Sequence, residues 1–341
     1  MSNGVNEYRT IEISTATIVK VFAAIAALLF LYAVREIVEI LVFAIIIAAG
    51  VNAPVSWLQR RGLPRTAGVV LVYLVFFALL GFVVYLVVPP LAEEVQALAG
   101  RFPAALEKVF GSFAPVSGQQ LENLLKLFGE RLAQAGQGVI AATSRVVGGV
   151  ASALITLVLS IYLAVRERGI EEFLRLITPA SQEAYVISLW GRVHRKLGLW
   201  LQGQLLLGLI VGLLTYVGLY LLGVPYTLTL AILMGILELV PIVGPILGAI
   251  PGILVAFFVS PLLAVATAAL YVFVQQLENH LLVPLVTKKI VGVNPIVVIL
   301  ALLVGAKLGG IPGMILAVPL AAALAEYFED VTSRRKAPSH D

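Results

Sequence analysis

Long runs without a charged residue constrain this chain more than any other feature. A membrane-spanning helix needs about 20 apolar residues, and the uncharged runs at 66–89, 146–165 and 199–222 each reach that length. Of all residues, 12% are charged, which is about half the share usual in soluble domains. The sequence therefore predicts an all-α integral membrane protein, built as a multi-span helical bundle.

The first apolar region allows two arrangements. The apolar runs at 18–34 and 37–54 are separated by Arg35 and Glu36, so they form either two short helices or one long bent helix. Polar sections separate the later spans. The predicted organisation is a polar N-terminal tail (1–17), N-terminal transmembrane helices (18–89), an extracytoplasmic amphipathic helical insertion (90–145), a transmembrane helix (146–165), a cytoplasmic amphipathic section (166–198), a transport core (199–326) and a basic cytoplasmic tail (327–341).

The basic residues of the short loops predict the orientation, because cytoplasmic loops carry an excess of Lys and Arg. We therefore assign four basic clusters to the cytoplasm. They are Arg60, Arg61 and Arg65; Arg166, Arg168, Arg192, Arg195 and Lys196; Lys288 and Lys289; and Arg334, Arg335 and Lys336. The insertion at 90–145 has balanced charges, which suits the outside. The N-terminus is then cytoplasmic if the first two runs are separate helices.

The C-terminal half contains an internal repeat. The segments 243–257 (VGPILGAIPGILVAF) and 304–318 (VGAKLGGIPGMILAV) are identical at eight of fifteen positions. Proline removes a backbone donor and glycine loosens a helix, so each copy predicts a broken helix whose arms are too short to cross the bilayer. The breaking residues are Pro241, Gly244, Pro245, Gly248, Pro251 and Gly252 in the first copy, and Gly305, Gly309, Gly310, Pro312 and Gly313 in the second.

These breaks predict two re-entrant hairpins, at 227–259 and 294–325, on either side of a transmembrane helix at 261–283. One crossing between them makes the repeat inverted, although two full crossings per copy would give the same parity. Broken helices at matching positions are typical of the substrate site of a secondary transporter. The alternative is a pair of kinked helices whose glycines allow close packing.

Polar residues inside this apolar half are candidates for the transport pathway, since charge at membrane depth is costly. Glu238 precedes the first break and is the best candidate to contact a proton, a cation or a polar solute, unless it caps a helix end. Lys307 in the second break pairs with an acidic group or reaches the cytoplasmic surface. Gln275, Glu278 and Asn279 line a vestibule or form an interfacial helix end.

Several other classes of function find no support. The sequence has no GxxxxGK[ST] phosphate loop, no HExxH zinc motif and no GxSxG nucleophile elbow. It has no cysteine, which removes disulfides and thiolate metal sites. Its basic residues flank apolar segments and form no nucleic-acid-binding face. We expect a protein that is not an enzyme and needs no cofactor, metal or nucleic acid; its expected partners are membrane lipid, a small polar solute, and H⁺ or Na⁺ as a coupling ion.

Three segments carry a resemblance to a known family. They are ELVPIVGPILGAIPG (238–252), QQLENHLLVPLVTKKIVGVNPIVV (275–298) and VGAKLGGIPGMILAVPLAAAL (304–324). They resemble the AI-2E family of prokaryotic membrane proteins, the autoinducer-2 exporter-like permeases, and the order of the spans extends the likeness over nearly the whole chain. The resemblance implies a multi-pass, homo-oligomeric permease of the cytoplasmic membrane, whose relatives are linked either to autoinducer-2 export in quorum sensing or to sodium–proton antiport.

We accordingly expect a permease that exports a small polar solute, such as an autoinducer-2-like signal molecule. A cation–proton antiporter is the alternative, because Glu238 and Glu278 could alternate between proton and cation, although neither lies in a dense acidic cluster. A non-transporting membrane scaffold acting through the 90–145 insertion is a second alternative. It would leave the repeated helix breaks without a purpose.

Overall fold

The computed structural model describes residues 15–83, 85–86, 89, 152–166, 168–287 and 294–336, and these form helices joined by short turns, with no strand. The 90–145 insertion, Lys288 and Lys289, and most of the N-terminal tail lie outside the described residues. The helices are α1 (Thr15–Ala33), α2 (Arg35–Arg60), α3 (Arg65–Val83), α4 (Ser152–Val165), α5 (Gly169–Ile177), α6 (Glu183–Leu222), α7 (Thr227–Leu237), α8 (Val243–Val259), α9 (Pro261–Leu277), α10 (Val283–Thr287) and α11 (Pro295–Lys336).

Helix length and composition confirm the predicted fold class. Five helical stretches of the described chain are long and apolar enough to cross a membrane. They are Arg35–Arg60, Arg65–Val83, Glu183–Leu222, Pro261–Val286 and Ile296–Asp330. The chain is therefore an all-α, multi-pass membrane protein.

Helices α1 and α2 form one nearly continuous helical path. Val34 alone separates them, and the backbone hydrogen bonds continue across it. The N–H of Val34 donates to the carbonyl of Phe30 at 3.0 Å, and the N–H of Val38 donates to the carbonyl of Val34 at 3.1 Å. The backbone thus follows the bent-helix alternative of the two that the sequence left open.

Helix α6 is the central element of the bundle. Its 40 residues extend for about 60 Å, roughly twice the hydrocarbon thickness, so the helix begins in the polar 166–198 section and continues through the apolar run. It packs against α2, α7, α9 and α11. Its glycines allow close approach, since a methyl group on Gly198 would lie 2.6 Å from the carbonyl oxygen of Ala49 in α2.

The first repeat forms a helical hairpin. Helices α7 and α8 have 11 and 17 residues, and the turn between them includes Ile242 in the left-handed region at φ 69°. Gly244 packs against the carbonyl of Leu237, and one turn further on Gly248 packs against Met234. The two arms therefore run antiparallel.

The second repeat also folds back on itself, within α11. Gly310 has φ 61° and ψ −137°, a conformation that glycine adopts without steric cost. A methyl group on Gly305 would lie 2.8 Å from the carbonyl carbon of Gly313, whereas eight residues of a straight helix span about 12 Å. Both repeats are thus broken-helix hairpins, and their re-entrant passage through the bilayer stays a prediction.

The two hairpins meet in one hydrophobic cluster. Val240, in the turn of the first hairpin, belongs to the same buried cluster as Leu302 and Leu316 from the two arms of the second. Ile46 of α2 and Trp200 of α6 complete its centre. The hairpins are therefore packed together against α2 and α6.

Candidate transport site

Two buried carboxyl groups meet next to the turn of the first hairpin. Glu238 follows α7 directly and is 1% exposed, while Glu278 follows α9 and is 5% exposed. Their side chains are in hydrogen-bonding contact. The structure therefore brings into contact two residues that the sequence analysis named as candidates but could not place next to each other.

Close packing of α6 against α7 positions Glu238. A methyl group on Gly235 would lie 2.7 Å from the carbonyl oxygen of Gly208, and one on Gly212 would lie 3.1 Å from that of Ala231. Small residues permit such backbone contact between membrane helices. Because Glu238 comes one turn after Gly235, this contact brings its side chain against α6.

A π-helical turn, Glu278–Leu282, begins at Glu278. In this turn the N–H of Val283 donates to the carbonyl of Glu278, five residues earlier. The sequence supplies the reason, because Pro284 has no N–H for the carbonyl of His280 and its ring would clash with that carbonyl in a regular α-helix. Single π turns within helices are frequent at functional sites.

Two amide side chains position the carboxyl pair. Gln275 Nε2 donates a hydrogen bond to Glu278 Oε2 at 3.2 Å, and Gln204 Nε2 donates one to the backbone carbonyl oxygen of Glu238. Glu238 Oε2 has no hydrogen-bond partner among the described residues. No Lys or Arg within the described part of the chain forms an ion pair with either carboxyl group.

This arrangement can bind a proton or a small cation. Two ionised carboxylates in contact repel each other strongly when they are buried and have no basic partner. Each charge at membrane depth also costs about 2.5–3.5 kcal/mol. The pair is therefore stable when one carboxyl group carries a proton, or when a cation neutralises the site.

The other predicted residues of the first hairpin mainly pack its arms. Gly244, Gly248 and Gly252 face Leu237, Met234 and Tyr271, and Pro245 is buried with them. Pro241 and Pro251 are half-buried. The glycine face of α8 therefore allows close helix packing, which was the alternative interpretation of these glycines.

In the second hairpin the predicted residues are spread over different surroundings. Gly305 and Gly313 form the contact between its arms. Lys307 and Pro312 are exposed, so Lys307 is not part of the buried carboxyl site. Asn279 is exposed as well, whereas its neighbour Glu278 is buried.

The sequence analysis missed Glu39, which packs against Gly309 at the point where the second hairpin reverses direction. Its carboxyl carbon lies 3.1 Å from the position that a methyl group on Gly309 would occupy. Glu39 is half-buried in α2, beside the charged residues at the start of that helix. Nothing in the sequence pairs it with Gly309, because 270 residues separate them.

An ionic cluster lies at the other end of this hairpin. Arg192 donates to Glu326 at 2.7 Å and to Asp330 at 2.9 Å, and Lys196 also pairs with Glu326. The arm from Gly310 to Glu326 is about 24 Å long, so this cluster is far from Glu39. It fixes α11 to the polar end of α6.

A cavity of about 50 Å³ lies away from the carboxyl pair, between α2, α4, α5 and α6. Arg65 lies beside it: its Nε donates to the carbonyl of Ala164 at 2.9 Å and its Nη2 donates to Asn52 Oδ1 at 3.1 Å. These bonds tie the start of α3 to α2 and α4. We therefore assign this cavity to the packing of the N-terminal helices and not to the transport site.

The long apolar helices define the class on structural grounds as a multi-pass membrane protein, and comparison with known sequences assigns it to the permease type. A sequence model of the AI-2E family transporter matches residues 21–333, so the chain belongs to the AI-2E transporter family.

Three relatives each bear the name "Putative transport protein". YueF of Bacillus subtilis (strain 168) is 32% identical, over 82% of this chain and 80% of the relative. YrrI of the same strain is 29% identical, over 79% of each chain. MT0215 of Mycobacterium tuberculosis (strain CDC 1551 / Oshkosh) is 28% identical, over 89% of this chain and 85% of the relative.

Proposed function

We propose that this protein is a secondary transporter of a small polar solute, in which Glu238 and Glu278 together bind the coupling proton. One observation carries the proposal: the two carboxyl groups are buried, in contact and without a basic partner among the described residues. A carboxyl pair of this kind takes up and releases one proton without leaving two buried charges. An autoinducer-2-like signal molecule is a candidate solute on the family resemblance alone.

The two hairpins supply the moving parts of the proposed cycle. Glu238 belongs to the turn of the first hairpin, so a proton on the pair removes the repulsion that would otherwise push this turn away from α9. Loss of the proton restores the repulsion and favours separation. Proton binding would thus be linked to the position of the first hairpin, which packs with the second through Val240, Leu302 and Leu316.

A sodium–proton antiporter is the second candidate, and the same pair favours it. Carboxylate oxygens suit a hard cation, and Gln204 and Gln275 lie beside the pair. In this case Na⁺ and H⁺ would compete for Glu238 and Glu278, and no organic solute would be needed. The scaffold alternative offers no role for a buried acidic pair.

Proteoliposomes with imposed pH and sodium gradients test the proposal. We expect Glu238→Gln to retain the shape of the side chain and abolish proton-coupled transport, because an amide cannot exchange a proton in this way. Glu278→Gln should have the same effect. Exposed Glu329 in α11 provides a matched control, and Glu329→Gln should transport as the wild type does.

The outcomes separate the candidates. Proton movement driven by sodium alone, and lost in both variants, would establish the antiporter. Proton movement that requires a polar solute supports the exporter. If both Glu→Gln variants fold and couple transport to protons normally, the carboxyl pair is not the coupling site and the proposal is wrong.

We further propose that the protein lies in the cytoplasmic membrane of a prokaryote as a homo-oligomer, with its C-terminus in the cytoplasm. The basic clusters support this orientation. The exposed apolar side chains of α1 and α3, such as Phe22 and Leu74, fit contact with lipid or with other subunits. If the bent α1–α2 helix crosses once, the N-terminus lies outside, opposite to the expectation for separate helices.

A further inference from the structure

Three hydroxyl groups are buried in the helix bundle, on α6 and α9. Thr215 of α6 and Thr267 of α9 are 0% exposed, and Tyr271 of α9 is 5% exposed. Their hydroxyl oxygens, like Glu238 Oε2, have no hydrogen-bond partner among the described residues. Buried polar groups are almost always hydrogen-bonded, to the protein or to buried water. Four such atoms on the packed helices α6 and α9 and at the end of α7 point to a common explanation, while Tyr73 Oη on α3 lies outside this group.

The groups on α9 follow one face of that helix. Thr267 and Tyr271 are four residues apart, and Glu278 comes seven residues later, which is the spacing of a single helical face. At 1.5 Å per residue, the intervals along the helix are about 6 Å and about 10 Å. Buried water molecules between the side chains would connect groups at these levels, since one hydrogen bond spans only about 2.8 Å.

Thr215 of α6 adds a hydroxyl group within the longer interval, between the levels of Tyr271 and Glu278. Gly218 of α6 packs against Leu270 of α9, while Gly208 of α6 lies beside Glu238, so the two helices run antiparallel here. Thr215 is three residues from Gly218 toward Gly208. Its hydroxyl therefore lies at a level between Tyr271 and Glu278, where the row along α9 is most widely spaced.

We propose that these hydroxyls line a chain of buried water molecules that conducts protons between the Glu238–Glu278 pair and the start of α9 near Ser260. Each oxygen in the chain accepts a proton on one side and releases one on the other, so no hydroxyl is left charged. This inference rests on the proposed function of the pair, because it supplies the route by which the coupling proton arrives.

The first test detects the water directly. X-ray radiolysis in ¹⁸O-labelled water oxidises a buried side chain rapidly only if a bound water molecule is adjacent to it. We expect rapid labelling of Tyr271 in the wild-type protein in liposomes, despite its burial. Trp200 of α6, which is 2% exposed and packs in the apolar cluster between the two hairpins, lies outside the proposed chain and should be labelled more slowly.

The second test measures proton conduction with a pH-sensitive dye trapped in proteoliposomes under a potassium diffusion potential. We expect Thr215→Val and Tyr271→Phe, which keep side-chain shape but remove the hydroxyl, to slow proton uptake at least tenfold. Thr156→Val is the matched control. Thr156 lies in α4 and donates only within its own helix, to the carbonyl of Ser152 at 2.8 Å, so proton uptake should not change.

Hydroxyls without a water partner would behave in the opposite way. Their removal would leave proton uptake unchanged and raise the midpoint of thermal unfolding, because an unpartnered buried polar group is unfavourable. That result, or the absence of Tyr271 labelling in a wild type that does move protons, overturns the water chain alone. Labelling of Tyr271 in a wild type that moves no protons overturns proton conduction together with the proposed coupling.

Discussion

Gly235→Ala tests how the structure positions Glu238. The added methyl group would lie 2.7 Å from the carbonyl oxygen of Gly208, and ordinary contact begins at 3.4 Å, so α7 must move away from α6 by about 0.7 Å. Overpacking of this kind costs about 1–3 kcal/mol of folding free energy. Because Glu238 is three residues away on the same arm, the shift also disturbs its contact with Glu278.

We expect transport in the Gly235→Ala variant to fall at least tenfold, since a displacement of about 1 Å in a reacting site can cost about a hundredfold. Transport is measured in proteoliposomes, and the unfolding midpoint in detergent. Gly191→Ala, in α6, is the matched control, because its methyl group meets no atom within 4 Å and alanine favours a helix. Wild-type transport and stability in Gly235→Ala would refute the packing argument.

Three further predictions concern other parts of the chain. Single cysteines at Gln119 and Lys336 should react with an impermeant thiol reagent from opposite sides of the membrane, and labelling from the same side contradicts the topology. Gly309→Leu should suppress transport but not membrane insertion, because the leucine side chain would collide with Glu39. Normal flux in this variant would exclude the reversal of the second hairpin from the transport pathway. Glu326→Gln should lower the unfolding free energy by about 1 kcal/mol or less, and less at high salt; an effect independent of salt would contradict an ionic role.

The sequence indicated where the helices break, but it did not indicate which residues the broken segments contact. The order of glycine and proline in the two repeats indicated hairpins at 227–259 and 294–325, and the chain reverses within both. These reversals have local causes, such as the φ of 61° at Gly310. Local backbone chemistry can be deduced from a short segment, and that is why the sequence could indicate where the helices break, whereas the re-entrant passage of the hairpins stays a prediction.

The candidate site was predicted residue by residue but not as a pair. Glu238 and Glu278 were both singled out by the cost of burying charge in a membrane, yet 40 residues separate them. The Gly208–Gly212 spacing on α6 was a usable signal for the contact with α7, and the sequence analysis did not use it. Glu39 gave no such signal, since its contact with Gly309 depends on how α2 packs against the second hairpin.

The sequence by itself determined that this chain is a multi-pass helical membrane protein with two broken-helix repeats, because apolar run length and the backbone restrictions of glycine and proline act locally. Only the tertiary structure decided which polar groups share a site. Contact between Glu238 and Glu278 depends on the close approach of α6 to α7, which arises from packing between distant segments, although the π turn at Glu278 has a local cause in Pro284. For that reason Lys307, equally conspicuous in the sequence, lies on the surface while the two glutamates meet in the interior.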